Sequence, residues 1–400
     1  MGLAVAKCLS WAALCALVVP SCVVASEVQW HGFVSEALVY ADHHRMGYAK
    51  PNQLGSYLSE GGLNVSAQID GHWLLSAQVL SRWDGIQVGK PRWDVLMAER
   101  MLLNQNGQQL AVQAGMLKNP YGFYNTTRDV AHTRPGIVLP WVYHDQARNF
   151  VLSAPAMAVR GRHTATWGNL SWQLNVLQPD VNNPTMVMFL VGAQQGGQMQ
   201  PRRSAVGQVL WESERADWRL AWSFTDMGMH YRPVPTDFRG AGAFSGAGDL
   251  SLRSHLLSLE HNTEHWTHTV EYAQARILRD NFNIPGVPFM DRHSTLEQGY
   301  VQMAYRFTPN WQTWLRRDWM FVDNQDRNGL AFAALTGQSP YQRYMRDMSW
   351  GVRCDPTPNW SLMAEVHHIN GAANLALFNN PPATQRPRWN MFLLQADYHF

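Results

Sequence analysis

The chain closes on RWNMFLLQADYHF (residues 388–400), and the alternation within it decides the fold. Phe392, Leu394, Ala396, Tyr398 and Phe400 share one parity; Met391, Leu393, Gln395, Asp397 and His399 share the other. Successive side chains of a strand point to opposite faces. One face is therefore wholly apolar, and the other turns polar toward the end. Chain ends usually trail off in a few polar residues. Here a strand runs to an aromatic ring at the last position. Lipid offers no hydrogen bonds to an open sheet edge, so a sheet in a membrane must close on itself. A last strand that pairs along its whole length with the first, HGFVSEALVYAD (31–42), meets that demand.

The rest of the chain repeats strand, turn, strand. Sixteen strands are expected, among them 62–69, 72–83, 94–104, 109–119, 157–167, 296–308 and 346–355. Connections alternate in length. Asp70-Gly71, Asn106-Gly107, Gly168-Asn169, 214–217, 308–310 and 356–359 are tight and carry turn residues. The segments 43–61, 84–93, 120–156, 179–203, 231–251, 280–295, 324–345 and 370–387 are long. Short turns at one end and long loops at the other are the asymmetry of an outer-membrane barrel. A soluble pair of β-sandwiches would share the alternation along strands, but not the alternation in loop length. In 299–307, Val301, Met303, Tyr305 and Phe307 oppose Tyr300, Gln302, Ala304 and Arg306; Met348 to Asp355 alternates likewise. Trp167, Trp172, Trp211, Trp218, Trp266, Trp311, Trp314 and Trp360 crowd the turns, as interfacial girdles do.

At the other end, one Lys (Lys7), the apolar run 8–19 and small residues at Val24 and Ser26 form the three parts of a secretory signal peptide. Cleavage is expected after Ser26, leaving a single domain over 27–400. A retained anchor is the rival reading, as is lipoprotein processing at Cys22, where Val19-Pro20-Ser21 makes a poor lipobox. Only Cys354 then remains, so no intrachain disulfide and no Cys-paired metal site is expected. Mean hydropathy is −0.29, and no apolar run after residue 26 is long enough for a transmembrane helix. A formal charge of +2 excludes a polybasic nucleic-acid binder. The only lysines are Lys7, Lys50, Lys90 and Lys118; the other basic residues are arginines, suited to fixed, planar hydrogen bonding.

GMLKNPYGFYNTTRDVAHTRPGIVLPWVYHD (115–145) resembles a segment of proteobacterial porin-like proteins distantly related to the phosphate-selective porin family. GGLNVSAQIDGHWLLSAQV (61–79) is similar to their paired second and third strands. The resemblance implies a sixteen-stranded barrel set in outer-membrane lipid and lipopolysaccharide, usually trimeric, that passes small hydrophilic solutes. It does not carry phosphate selectivity over, because the expected Lys-rich face is missing. The terminal alternation also resembles the signal read by the barrel-assembly machinery, which would make Tyr398 and Phe400 assembly residues.

The 120–156 connection is the richest in chemistry. It holds Pro120, Pro135, Pro140 and Pro155, aromatic rings, and the charged or titratable Arg128, Asp129, His132, Arg134, His144, Asp145 and Arg148. Proline stiffness and rings suit a loop folded into the lumen, where fixed charge selects ions. Arg306, Arg316 and Arg353 are the wall arginines that parity would set against it. The alternative is a cap or a subunit contact. HNTEHWTH (261–268) would suggest a metal on a helix, but bridging two strands it reads as a solvated turn. GAGAFSGAGD (240–249) reads as an external loop, without the strand and helix of a phosphate cradle. No G-x-S-x-G or G-x-x-x-x-G-K-[ST] motif occurs. No enzyme, cofactor or metal is expected. The readings carried forward are a porin; a plugged barrel whose outer loops act as receptor or adhesin; and a membrane-embedded hydrolase lacking any recognisable motif.

Overall fold

Alternating strands joined by tight turns become one closed antiparallel sheet in the computed structural model. The structure describes residues 27–85, 89–145, 148–181, 197–234, 247–280, 293–377 and 379–400. The signal segment and most of the Gly-rich 240–249 stretch lie outside them, as do parts of the connections 84–93, 120–156, 179–203, 231–251, 280–295 and 370–387. The strands are β1 (Glu27–Ala41), β2 (Leu54–Gln68), β3 (Trp73–Trp83), β4 (Arg92–Gln105), β5 (Gln108–Lys118), β6 (Ser153–Ala165), β7 (Gly168–Leu177), β8 (Gln198–Pro201) and β9 (Ser204–Glu212). They continue as β10 (Trp218–Arg232), β11 (Gly248–Asn262), β12 (Trp266–Asp280), β13 (Ser294–Thr308), β14 (Trp311–Phe321), β15 (Tyr344–Thr357), β16 (Trp360–Gly371) and β17 (Arg388–His399).

Seventeen segments make sixteen staves. β8 and β9 lie end to end along β10, broken where Arg202 N donates to Gly228 O at 2.9 Å. Each stave pairs with its sequence neighbour, and β1 pairs with both β2 and β17. The closing register runs from Phe33 opposite His399 to Ala41 opposite Met391. Phe400 itself exchanges two backbone hydrogen bonds with Gly32, at 3.0 and 3.1 Å. The last strand therefore runs to the final residue because its edge is the seam of the barrel.

Every second connection is short. Asn106 and Gly107, at φ 53° and 72°, make the left-handed pair that a two-residue hairpin needs. The turn expected at Gly168-Asn169 sits two residues earlier. Ala165 pairs with Gly168, so Thr166 and Trp167 form the turn and Gly168, at φ 124°, opens β7. Trp73, Trp218, Trp266, Trp311 and Trp360 each open the strand after a short turn and are exposed on the outer face. Tyr398 and Tyr305 join this belt, with ring centroids 5.2 Å from Trp360 and 4.7 Å from Trp266. Trp314 does not belong to it. It points inward, buried, with its ring across Gly351, the residue paired with it. A glycine without a side chain leaves a gap that the cross-strand ring fills; Phe33 covers Gly62 and Phe224 covers Gly207 in the same way.

The outer face is apolar: Val34, Leu394, Phe392, Leu257 and Leu315 are exposed there. The inner face is also largely apolar toward the long-connection end. Val39, Met227, Met229, Ile277, Leu296, Met320, Met391 and Leu393 point inward and are buried. What buries them is chain folded into the barrel. Ile137 and Val138 pack with Val39, Ile277, Leu296 and Met391, and Phe150 packs with Met227 and Met229. Leu139, Val142 and Tyr143 pack with Leu256, Ala273 and Tyr300. Each such side chain is worth about 1.5–3 kcal/mol of burial.

Candidate functional site

The segment between β5 and β6 is pinched at its base. Asn119 N donates to Leu152 O at 2.8 Å, and Asn125 Nδ2 donates to both Asn119 O and Val151 O, at 2.8 and 3.1 Å. Among the described residues between these points the chain makes turns, with one-turn helical segments at 131–133, 141–143 and 148–151. Its prolines forbid longer helix, because they lack the amide donor.

Around the lumen the loop's backbone is received by inward-facing side chains of the wall. Glu365 on β16 accepts from Ile137 N (2.8 Å) and Val138 N (3.1 Å). Asp318 on β14 accepts from Trp141 N at 3.3 Å. Arg316 donates to Val138 O at 2.9 Å, and Arg353 to His132 O at 2.6 Å. Gln208 on β9 donates to Gly122 O at 2.8 Å. Glu271 on β12 is fully buried and accepts from Phe123 N (3.0 Å), Tyr143 OH (2.5 Å), Ser258 Oγ (2.6 Å) and Tyr300 OH (2.9 Å).

The opposite wall is ionic. Glu60 on β2 bridges Arg82 on β3 (2.8 Å) and the loop's Arg134 (2.5 Å). Arg82 also meets Asp84 at 2.9 Å and the loop's Asp145. Asp129 meets Lys118 and Arg148, and Asp94 on β4 pairs with Arg92 at 2.7 Å. Arg82, Arg92, Lys118, Arg128, Arg134 and Arg148 thus face Glu60, Asp84, Asp94, Asp129 and Asp145. Burial, reinforced by the nearby Arg82, Arg92 and Arg134 and opposed by Asp145, pushes the Arg128 guanidinium down to about 10, still cationic at neutral pH. Burial alone would raise the Asp145 carboxyl, but Arg82, Arg128 and Arg134 hold it below the usual carboxylate range. Burial and the field of Arg128 bring His144 down to about 4, so it is neutral at pH 7.

Of the residues singled out from the sequence, Arg128, Asp129, Arg134, Asp145 and Arg148 thus gather at one wall, and His132 lies beside Arg353, Asp397 and His399. Arg316 and Arg353 meet loop carbonyls rather than loop charges. Arg306 sits where the β13–β14 register shifts, is exposed, and makes no polar contact with the loop among the described residues. Tyr398 and Phe400 face outward. In β4 it is Glu99 that points inward, bound to Arg160, while Arg100 is exposed. Glu60, Arg82, Glu271, Asp318 and Glu365 are the wall anchors that sequence reasoning passed over. Their signal is a charge on the inward parity of an otherwise apolar strand, as in VEYAQA around Glu271.

The fit at Glu365 is tight. A Cβ added at Gly136 would lie 2.2 Å from Glu365 Oε1. Gly136→Ala is expected to destabilise the docked loop by about 1–3 kcal/mol, read as a lower thermal unfolding midpoint. An unchanged midpoint would refute this packing.

No family model and no curated relative matches the chain. Solved structures do. The anion-selective porin of Comamonas acidovorans superposes with TM-score 0.58 at 10% identity, covering 94% of this chain and 99% of that one. The channel DcaP of Acinetobacter baumannii gives 0.56 at 11% identity, covering 94% and 97%. In-vitro folded OmpT of Vibrio cholerae, in its trimer form, gives 0.55 at 12% identity, covering 94% and 99%. The chain has the porin fold. These comparisons lend no support to a phosphate-selective relationship.

Proposed function

We propose that this porin-fold chain is an outer-membrane porin through which small hydrophilic solutes or ions diffuse passively, with the loop Asn119–Leu152 as its constriction. The observation that carries this reading is a long inter-strand loop folded inside a sixteen-stave barrel, with arginines and carboxylates paired between loop and wall. Rings of fixed charge are how pores select ions. The arginine-rich wall of β2 to β5 would favour anions. A trimer, the barrel-assembly machinery as a biogenesis partner, and export by cleavage after Ser26 belong to the same proposal; Tyr398 and Phe400 would be the assembly residues. One structurally similar porin is described as anion-selective and another as a trimer, which agrees with it.

A second reading rests on the buried inner face. Apolar side chains pack the long-connection half of the lumen so fully that a plugged barrel, with its outer loops as receptor, is the competing function. Conductance of refolded 27–400 in a planar bilayer separates the two. Discrete steps in threes that scale with salt support the porin; a folded, heat-modifiable barrel that never conducts supports the plug. Within the porin reading, Arg134→Glu or Arg128→Glu is expected to shift the reversal potential in a salt gradient toward cation preference. Arg134→Glu would set a second carboxylate against Glu60. Unmoved reversal potentials would remove the loop charges from the selective path.

A further inference from the structure

We infer that His132, Asp397 and His399 form a binding site for a divalent transition cation that fastens the lumenal loop to the closing strand. Asp397 and His399 are two apart on β17, so both point into the lumen. His132 reaches them from the turn at 131–133. Asp397 Oδ2 lies 3.6 Å from His132 Nδ1 and 3.4 Å from His399 Nδ1. A zinc-type ion holds nitrogen and oxygen at about 2.0–2.2 Å in a tetrahedron, whose edges are then roughly 3.3–3.6 Å long. The three ligand atoms, one per residue, lie within 4.8 Å of one another, and rotation of the two imidazoles about their side-chain bonds would bring them onto one ion.

A second, independent observation points to a ligand here. Asp397 is fully buried, and its Oδ1 has no hydrogen-bond partner among the described residues; nor does His132 Nδ1. A buried carboxylate with an unsatisfied oxygen is costly, and a cation offsets that cost. Ser361 on β16, the register partner of Asp397, also has a buried hydroxyl with no hydrogen-bond partner among the described residues.

The ligands are held in place before any ion arrives. His132 O accepts from Arg353 at 2.6 Å, while Asp355 takes the Arg353 guanidinium at 2.8 Å and offsets its charge toward the site. The backbone of His399 is fixed at both ends by Asn359, at 2.9 and 2.8 Å. The two imidazoles stack, centroids 3.7 Å apart, and each side chain is 25% exposed, so the rings have room to turn their lone pairs toward a shared ion and water can reach it. Two imidazoles and one carboxylate select a zinc-like ion over magnesium or calcium, which prefer oxygen alone. The ion would tie the loop to the seam near the short-turn mouth, and this inference does not depend on conduction.

The test is titration of metal-stripped, refolded 27–400 in detergent with Zn²⁺, with Mg²⁺ as comparison. Saturable binding of one Zn²⁺ per chain is expected, with no comparable Mg²⁺ binding. His132→Ala and His399→Ala should each weaken it at least tenfold, while His265→Ala, in an exposed turn, should not. Should His399→Ala fail to fold, His132→Ala decides, because its residue lies outside the barrel wall. No saturable Zn²⁺ binding, or binding that His132→Ala leaves intact, would overturn the site.

Discussion

Glu271→Ala is expected to undock the lumenal loop while the barrel stays closed. Four donors converge on this carboxylate: two from the loop, at Phe123 and Tyr143, and two from the wall, at Ser258 and Tyr300. Removing it leaves three buried hydroxyls to find new acceptors, while the Phe123 amide keeps only Tyr143 OH at 2.9 Å, at a cost of about 3–5 kcal/mol. The cost falls on the loop, since the strand ladder of β12 is made by backbone alone. Trypsin reports the outcome. Arg128, Arg134 and Arg148 are buried in the folded protein and should resist cleavage; in Glu271→Ala they should be cut while the barrel band persists on a gel run without heating. Equal resistance in the variant would mean that apolar contacts such as Leu139 and Val142 hold the loop by themselves.

Leu394→Pro is expected to abolish the folded barrel. Leu394 sits mid-seam, paired with Leu38 on one side and Ala364 on the other. Proline there removes a ladder donor, which confines proline to edge strands and bulges in sheets generally. In lipid the orphaned carbonyl has no water to turn to, and each such group costs several kcal/mol. Leu394→Ala keeps the amide and loses only outward apolar surface, so it separates the backbone effect from the side-chain effect. The measurement is the yield of heat-modifiable band after refolding. A native yield for the proline variant would mean that the β1–β17 seam is dispensable.

The barrel was legible in the sequence because its causes are local. Period-two alternation, a turn residue at every second connection and a Trp at the start of many strands are written within about ten residues of each other, and the structure follows them closely. Misreadings came where a single residue carried the signal. Trp314 looked like a girdle residue from its nearness to a turn, but parity places it inside over Gly351. The break at Arg202 splits one stave into two segments without altering the count of sixteen.

The loop's composition marked it as lumenal, yet its anchors were hidden. Glu60, Glu271 and Glu365 are single carboxylates on three distant strands, and nothing local tells which of many inward polar residues a proline-rich loop will meet. His132 and the Asp397–His399 pair are separated by most of the chain and become neighbours only when β17 closes the barrel. What the sequence by itself determined is the alternation, and with it a sheet that must close, because hydrogen bonding in lipid leaves no other solution. Only the tertiary structure decided what fills that sheet, because the loop's path depends on donors and acceptors brought together by closure.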